Sequence, residues 1–164
     1  MKRTHHCNEL RIEHVGQVVT LCGWVHSRRD LGGVIFIDVR DREGRTQAVF
    51  DPSLLPQNVF DLAASLRNES VIRLSGKVRK RPDGTDNPKI ATGQIEVVAA
   101  ELEVLNQADP LPFQIDDPDS AAKVNEEMRL RYRYLDLRRP EMARNIRLRH
   151  KLAAATRRYF DENG

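Results

Sequence analysis

From Val18 to Phe50 inward-facing apolar residues recur with period two in three segments separated by turn signals. Val19, Leu21 and Val25 share one face of a first segment, Val18 to His26. Gly32-Gly33 closes a loop, and Val34–Arg40 makes a second segment. Asp41-Arg42-Glu43-Gly44 is a four-residue turn. Thr46, Ala48 and Phe50 supply the inward face of a third segment. Three half-buried strands in succession are the expected result. One residue breaks the polar face. In VIFIDVR, Ile35, Ile37 and Val39 point one way, while Val34, Phe36, Asp38 and Arg40 point the other. If the turn sets Arg40 opposite Arg45, then Asp38 faces Gln47. Phe36 becomes the diagonal neighbour of Gln47 on the same face. A ring beside an amide is able to stack on a base and read its edge. The nearby loop arginines Arg28 and Arg29 add phosphate charge.

Further along, Asp51-Pro52 reads as a helix opening, with Asp as cap and Pro in the first turn. Val59, Leu62, Ala63 and Leu66 form its apolar stripe. A fourth strand is expected from Val71 to about Lys80, with Ile72, Leu74 and Val78 inward. Arg73, Lys77, Arg79 and Arg81 share the outward parity. A turn-rich loop runs from Pro82 to Pro88, and a fifth strand from Ile95 to Val104. The parity switch near Ala99-Ala100 implies a bulge. Three strands, a helix and two strands is the order of a five-stranded OB-fold barrel, a mainly β fold. Such barrels bind oligonucleotides on strands two and three and on the flanking loops. Residues 106–128, rich in proline and acid, read as a linker after a first domain at 1–105. A long helix follows, from about Glu141 to Asn163. Ile146, Ala153 and Phe160 recur on it at seven, beside Leu148, Leu152, Ala155 and Tyr159. Such a stripe needs a partner surface, and the single residue Gly164 offers none. The expectation is a chain cut within a second domain, 129–164.

The formal charge of +3 is concentrated late. Residues 129–158 hold eleven Lys and Arg against Asp136 and Glu141. Charge alone therefore does not carry a nucleic-acid reading. Two cysteines, Cys7 and Cys22, make no disulfide framework. His5, His6 and Cys7 are adjacent and cannot easily converge on one ion, so no metal is expected. No apolar run approaches the ~20 residues of a membrane span, and the N-terminus lacks a signal-peptide core. Cytoplasmic residence is the default expectation.

GWVHSRRDLGGVIFIDVRDREGRTQ resembles the anticodon-binding domain of a bacterial-type aspartyl-tRNA synthetase. RYRYLDLRRPEMARN is similar to the segment that leads into that enzyme's class II α+β catalytic domain. The helix after it resembles the long helix of the first class II motif, left incomplete. The Gly-Trp-Val…Phe…Asp…Gly…Gln pattern also resembles asparaginyl and lysyl relatives. RRDLGGVIFIDVRDREG together with RYLDLRRPEM is more specific to the aspartyl enzyme.

The resemblance implies roles. Phe36 stacks on the central anticodon uridine and Gln47 reads it. Glu96 and Asn87 lie near the third anticodon base. Arg29, Arg79 and Arg81 hold the stem and loop, while Leu31, Gly32 and Gly33 approach the first anticodon base. Ser27 stands where the family often has arginine. The implied partner is the anticodon stem-loop of tRNA(Asp). The full-length relative joins aspartate to tRNA through an aspartyl-adenylate, using ATP and magnesium, and is a homodimer. Its second and third class II motifs are not found in this sequence. The chain alone is therefore expected to need no cofactor, to be catalytically inactive and to be monomeric. The competing readings are a stand-alone OB-fold module for single-stranded nucleic acid, the equivalent region of an asparaginyl or lysyl relative, and a fragment whose last helix pairs with itself.

Overall fold

A computed structural model describes residues 2–115 and 124–164. The chain divides into two compact units, Met1–Asp109 and Pro110–Gly164. The first contains β1 (Val18–Leu31), β2 (Val34–Arg40), β3 (Arg45–Phe50), α1 (Gln57–Ser65), β4 (Val71–Lys80) and β5 (Ile95–Asn106). The strands close into a barrel in the order β1-β2-β3-β5-β4. All neighbours are antiparallel except β3 and β5. Closure leaves no open sheet edge.

β1 serves two ladders. Val18 to Trp24 pairs with β4, and Trp24 to Leu31 pairs with β2. The strand changes ladder at Trp24, which pairs with both neighbours. A Cβ on the preceding Gly23 would meet the Arg40 carbonyl oxygen at 2.4 Å, so the approach to the crossing needs glycine. His26 is the bulge residue, since Val25 pairs with Val39 and Ser27 with Asp38. A second bulge leaves Ala100 unpaired between Ser75↔Glu101 and Gly76↔Ala99, where the parity switch puts it.

The inward residues fill one core. Val19, Leu21, Ile35, Ile37, Val39, Phe50, Ile72, Leu74, Ile95 and Val97 are all buried in it. Ala63 and Leu66 of the α1 region pack on this core, and Cys7 and Leu10 of the N-terminal segment complete it. Asp41 ties that segment down. Its Oδ2 accepts from His6 Nδ1 at 2.8 Å and from the Cys7 amide at 3.0 Å. Its Oδ1 accepts from the amides of Glu43 and Gly44. His6 and Cys7 therefore hold structure. Burial, with the adjacent Asp41 charge, pushes the Cys7 thiol far above its ordinary value, so it is an inert packing group.

Three sequence expectations change here. β1 does not stop at His26 but runs to Leu31, so Arg28 and Arg29 lie on a strand and not in a loop. Only Gly32 and Gly33 turn, with φ of 64° and 82°, the two-residue hairpin that suits strand twist. Asp51-Pro52 does not open the helix. The Asp51 carboxylate accepts from the Ser53 amide and hydroxyl and closes a separate turn. α1 begins at Gln57 after Pro56. The linker expected at 106–128 lies partly outside the described residues, at 116–123, and its described ends are structured. Asn106 ends β5, and Phe113 and Ile115 are buried with Leu135 in the second unit.

That second unit holds α2 (Glu126–Arg131), α3 (Arg133–Asp136) and α4 (Pro140–Asn163). Asn125 caps α2 by accepting from the Met128 amide at 2.8 Å. Asp136 is fully buried and pairs with Arg129, Arg133 and Arg139. It pins three turns of chain together, which is a positioning role. α4 starts at Pro140, one residue before the sequence expectation. It carries no buried residue, and Ile146, Leu148, Leu152, Tyr159 and Phe160 stand exposed.

Candidate nucleic-acid interface

The turn register is the one expected. Arg40 pairs with Arg45, Asp38 with Gln47 and Phe36 with Val49. Phe36 is half-buried on the outer face, diagonal to Gln47, and lies outside the core cluster. Across the other ladder Arg29 pairs with Phe36. Lengthening β1 thus puts Arg29 directly beside the ring.

Gln47 points outward yet is only 6% exposed, because both ends of its amide are held. Arg29 Nη2 donates to its Oε1 at 3.1 Å. Its Nε2 donates to Glu96 Oε2 at 2.8 Å. An arginine only donates and a carboxylate only accepts, so the amide has one permitted orientation. Arg29 also donates to Asp38 Oδ1 at 3.4 Å, and the Ser27 hydroxyl donates to Asp38 Oδ2 at 3.2 Å. At the far end Arg79 Nε donates to Glu96 Oε1 at 2.8 Å. Glu96 pairs with Arg79 across β4 and β5 and is 2% exposed. A polar chain therefore runs Ser27–Asp38–Arg29–Gln47–Glu96–Arg79 across all five strands. Beyond its two bonds, Gln47 retains one N–H and one carbonyl lone pair. That pair of groups, next to an aromatic ring, has the chemistry to meet a donor and an acceptor side by side.

Arg81 departs from the outward parity shared by Arg73, Lys77 and Arg79. It is 6% exposed and sits just past the end of β4. Its Nε donates to the Ile95 carbonyl at 3.1 Å and its Nη1 to the Thr85 carbonyl at 3.5 Å. Its Nη2 is buried with no hydrogen-bond partner among the described residues. Burial lowers the guanidinium below its ordinary value, while the Glu96 and Asp38 carboxylates raise it. It stays charged. Asn87 is half-buried in the 82–94 loop. Its amide donates to the Gly93 carbonyl at 3.0 Å, and its Oδ1 accepts from the Lys89 amide at 3.0 Å. A Cβ on Gly93 would meet the Asn87 carbonyl oxygen at 1.8 Å, so this closure requires glycine. Leu31, Gly32 and Gly33 are exposed at the hairpin tip, where the Gly33 amide donates to Asp30 Oδ1. Arg28 is exposed on the opposite parity, opposite Ile37.

The structure thus brings Arg29, Phe36, Gln47, Arg79 and Glu96 together, with the Arg81 guanidinium feeling the Glu96 charge. It leaves Arg28 and the tip residues on a projecting arm. Sequence reasoning passed over Asp38 and Ser27 as members of the network. Their signal was present, since Asp38 shares parity with Phe36 and faces Gln47.

An OB-fold nucleic acid binding domain model matches residues 19–105, more than half of the 164-residue chain. The chain belongs to the OB-fold nucleic acid binding domain family. Residues 125–164 match the family of class II tRNA synthetases for D, K and N. Together the two matches are those of an anticodon-binding barrel leading into that synthetase subclass. The asparaginyl-tRNA synthetase of Pyrococcus horikoshii, complexed with asparaginyl-adenylate, is similar over 100% of this chain and 35% of its own. Its TM-score is 0.82 at 28% identity. The aspartyl tRNA synthetase of Entamoeba histolytica shares the fold, with a TM-score of 0.86 at 21% identity, over 99% of this chain and 38% of its own. A protein described as OBody AM2EP06, bound to hen egg-white lysozyme, matches 66% of this chain and 97% of its own at TM-score 0.57 and 27% identity. The chain spans little more than a third of the length of these two synthetases.

Proposed function

We propose that the barrel binds the anticodon loop of a tRNA, and that this tRNA is the one for aspartate. One observation carries the reading. The ring of Phe36 lies beside an amide, Gln47, whose orientation is fixed by Arg29 on one side and Glu96 on the other. Stacking supplies affinity for any base. A fixed amide supplies preference, because it offers an acceptor and a donor in one order only. Uracil meets it with N3–H beside a carbonyl oxygen.

The genetic code gives aspartate, asparagine and lysine anticodons the same central uridine. Phe36 and Gln47 therefore suit the whole subclass, and the third anticodon base separates aspartate, which has cytidine, from asparagine and lysine, which both have uridine. Glu96 supports cytosine there, the base of the aspartate anticodon. Each of its oxygens keeps a second lone pair, which accepts from cytosine N4–H and repels the uracil O4 carbonyl. The buried Nη2 of Arg81, which has no hydrogen-bond partner among the described residues, adds a donor on a guanidinium that feels the Glu96 charge. The sequence RRDLGGVIFIDVRDREG followed by RYLDLRRPEM supports the aspartyl member.

In this reading the parent protein is a cytoplasmic, dimeric aspartate–tRNA ligase. ATP and magnesium would supply its activation chemistry. No group of three or more His, Cys, Asp or Glu able to hold a metal ion occurs among the described residues. In this reading the chain's own residues bind and orient RNA. As an isolated chain it is inactive and monomeric.

Phe36→Ala tests the reading. Binding of an RNA hairpin with the aspartate anticodon should weaken by about 1–3 kcal/mol. The melting temperature should barely move, because Phe36 is outside the core. Unchanged affinity would refute the stacking platform. Preference for uridine over cytidine at the third position would move the assignment away from aspartate, to asparagine or lysine.

A further inference from the structure

Most arginines that flank the outer face of β2 and β3 have a carboxylate partner. Arg29 lies 3.4 Å from Asp38, and Arg79 lies 2.8 Å from Glu96. Arg40 holds both Glu69 oxygens, at 2.7 and 2.9 Å. Arg45 differs. Its Nη1 lies 2.6 Å from His26 Nε2, and among the described residues no carboxylate comes within ion-pair distance of it. An imidazole takes the hydrogen bond but brings no negative charge. Arg45 is half-buried, so water compensates its charge only in part.

The same imidazole meets a second guanidinium. His26 Nδ1 lies 3.3 Å from Arg40 Nη1. A neutral imidazole has one accepting nitrogen. With Nε2 accepting from Arg45, the Nδ1 edge turns an N–H towards Arg40. Arg45 thus carries a positive charge that no carboxylate offsets within ion-pair distance among the described residues, and an anionic oxygen would relieve it.

Its position says which anion. Arg45 precedes Gln47 by two residues on the same face of β3, about 7 Å along the strand. Arg40 shares the parity of Phe36 on β2. The site is also preformed. The Asp41–Gly44 turn that places Arg45 is closed by the Asp41 amide donating to the Gly44 carbonyl at 3.0 Å, and by both Asp41 Oδ1 contacts. His26 is fixed as the bulge residue of β1.

We infer that Arg45 binds a backbone phosphate of the RNA strand crossing β2 and β3, next to the nucleotide whose base lies on Gln47. His26 positions the guanidinium, and Arg40, paired with Glu69, lies on the other edge of the imidazole. The inference rests on the anticodon-binding reading and adds to it a phosphate site with no part in base choice.

The experiment measures the affinity of the 164-residue chain for an RNA hairpin with the aspartate anticodon, as a function of salt. Each phosphate contact to single-stranded RNA contributes about 0.7 to the slope of log affinity against log salt. Arg45→Gln should lower the slope by about that amount, so the native advantage shrinks about 2.6-fold between 50 and 200 mM salt. Arg45→Lys keeps the charge and should keep the slope. Neither substitution should change preference at the central base, and circular dichroism should show both folded. Phe36→Ala, run in parallel, should weaken binding with its slope intact. A native slope for Arg45→Gln, with Phe36→Ala still weakening binding, overturns the phosphate site and leaves the anticodon reading standing. No effect from either variant overturns both. A changed base preference in Arg45→Gln also overturns the inference, since it would make Arg45 a reader.

Discussion

Glu96 is the hinge of the polar chain, and two substitutions there should behave very differently. Its carboxylate accepts from Gln47 on one oxygen and from Arg79 on the other. Glu96→Gln keeps the shape but turns one acceptor into a donor. If the new amide nitrogen faced Gln47, the Gln47 amide would have to flip and set its own nitrogen against Arg29. The cheaper arrangement keeps oxygen towards Gln47 and puts nitrogen towards Arg79. Arg79 is 44% exposed and is free to swing into water. The cost is then that of a largely solvated ion pair, about 1 kcal/mol. Glu96→Ala instead strands the buried Gln47 nitrogen, at about 1–3 kcal/mol, and adds a void beside it. A total near 3 kcal/mol follows. For a barrel of this size each kcal/mol moves the melting temperature by about 4–8 °C. Thermal melts should therefore show a small drop for Glu96→Gln and roughly three times as much for Glu96→Ala. Titration with RNA hairpins that differ at the central base should show Glu96→Gln keeping its uridine preference and Glu96→Ala losing most of it. Equal melting temperatures and equal base preferences in the two variants would refute the idea that Glu96 locks the amide.

Two further outcomes follow from the same structure. Burial tends to raise the Asp41 carboxyl, but bonds from the amides of Cys7, Glu43 and Gly44 and from His6 outweigh it and hold it below the ordinary range. A depressed carboxylate stabilises the fold above its unfolded value, about 4, and that contribution disappears as pH falls through the lower folded value. Asp41→Asn should lower stability at neutral pH by about 2 kcal/mol and flatten the loss of stability below about pH 4. An acid limb as steep as the native one would show that Asp41 is not the group being protonated. Separately, the chain should show no aspartate-dependent exchange of pyrophosphate into ATP. Measurable exchange would place activation chemistry in residues to which none is assigned here.

The barrel was readable because its signals are local. Alternation, the Asp41–Gly44 turn and the 99–100 parity switch each fix a register within a few residues, and a register error of one would have reversed every face. Long-range pairing was less readable. Nothing near Arg29 in the sequence shows that β1 outruns its partner β4 and continues along β2, which is what sets Arg29 beside Phe36. Arg81 looked solvated by parity, yet the strand ends before it and the chain folds it under the 82–94 loop. The Asp51 turn deceived for a different reason. Its carboxylate makes the same kind of bond to a nearby amide that an N-cap makes, without a helix behind it. Burial of Phe113 and Ile115 was masked by the prolines and acids around them.

The central claim is that Gln47 turns a stacking surface into a reader of one base. Its most direct test is a set of four hairpins differing only at the central anticodon position, titrated against the native chain and Gln47→Ala. The native chain should bind the uridine hairpin best. The variant should bind all four at nearly one affinity while retaining most of the stacking contribution. A uniform loss across the four, with uridine still preferred by the same ratio, would contradict the account.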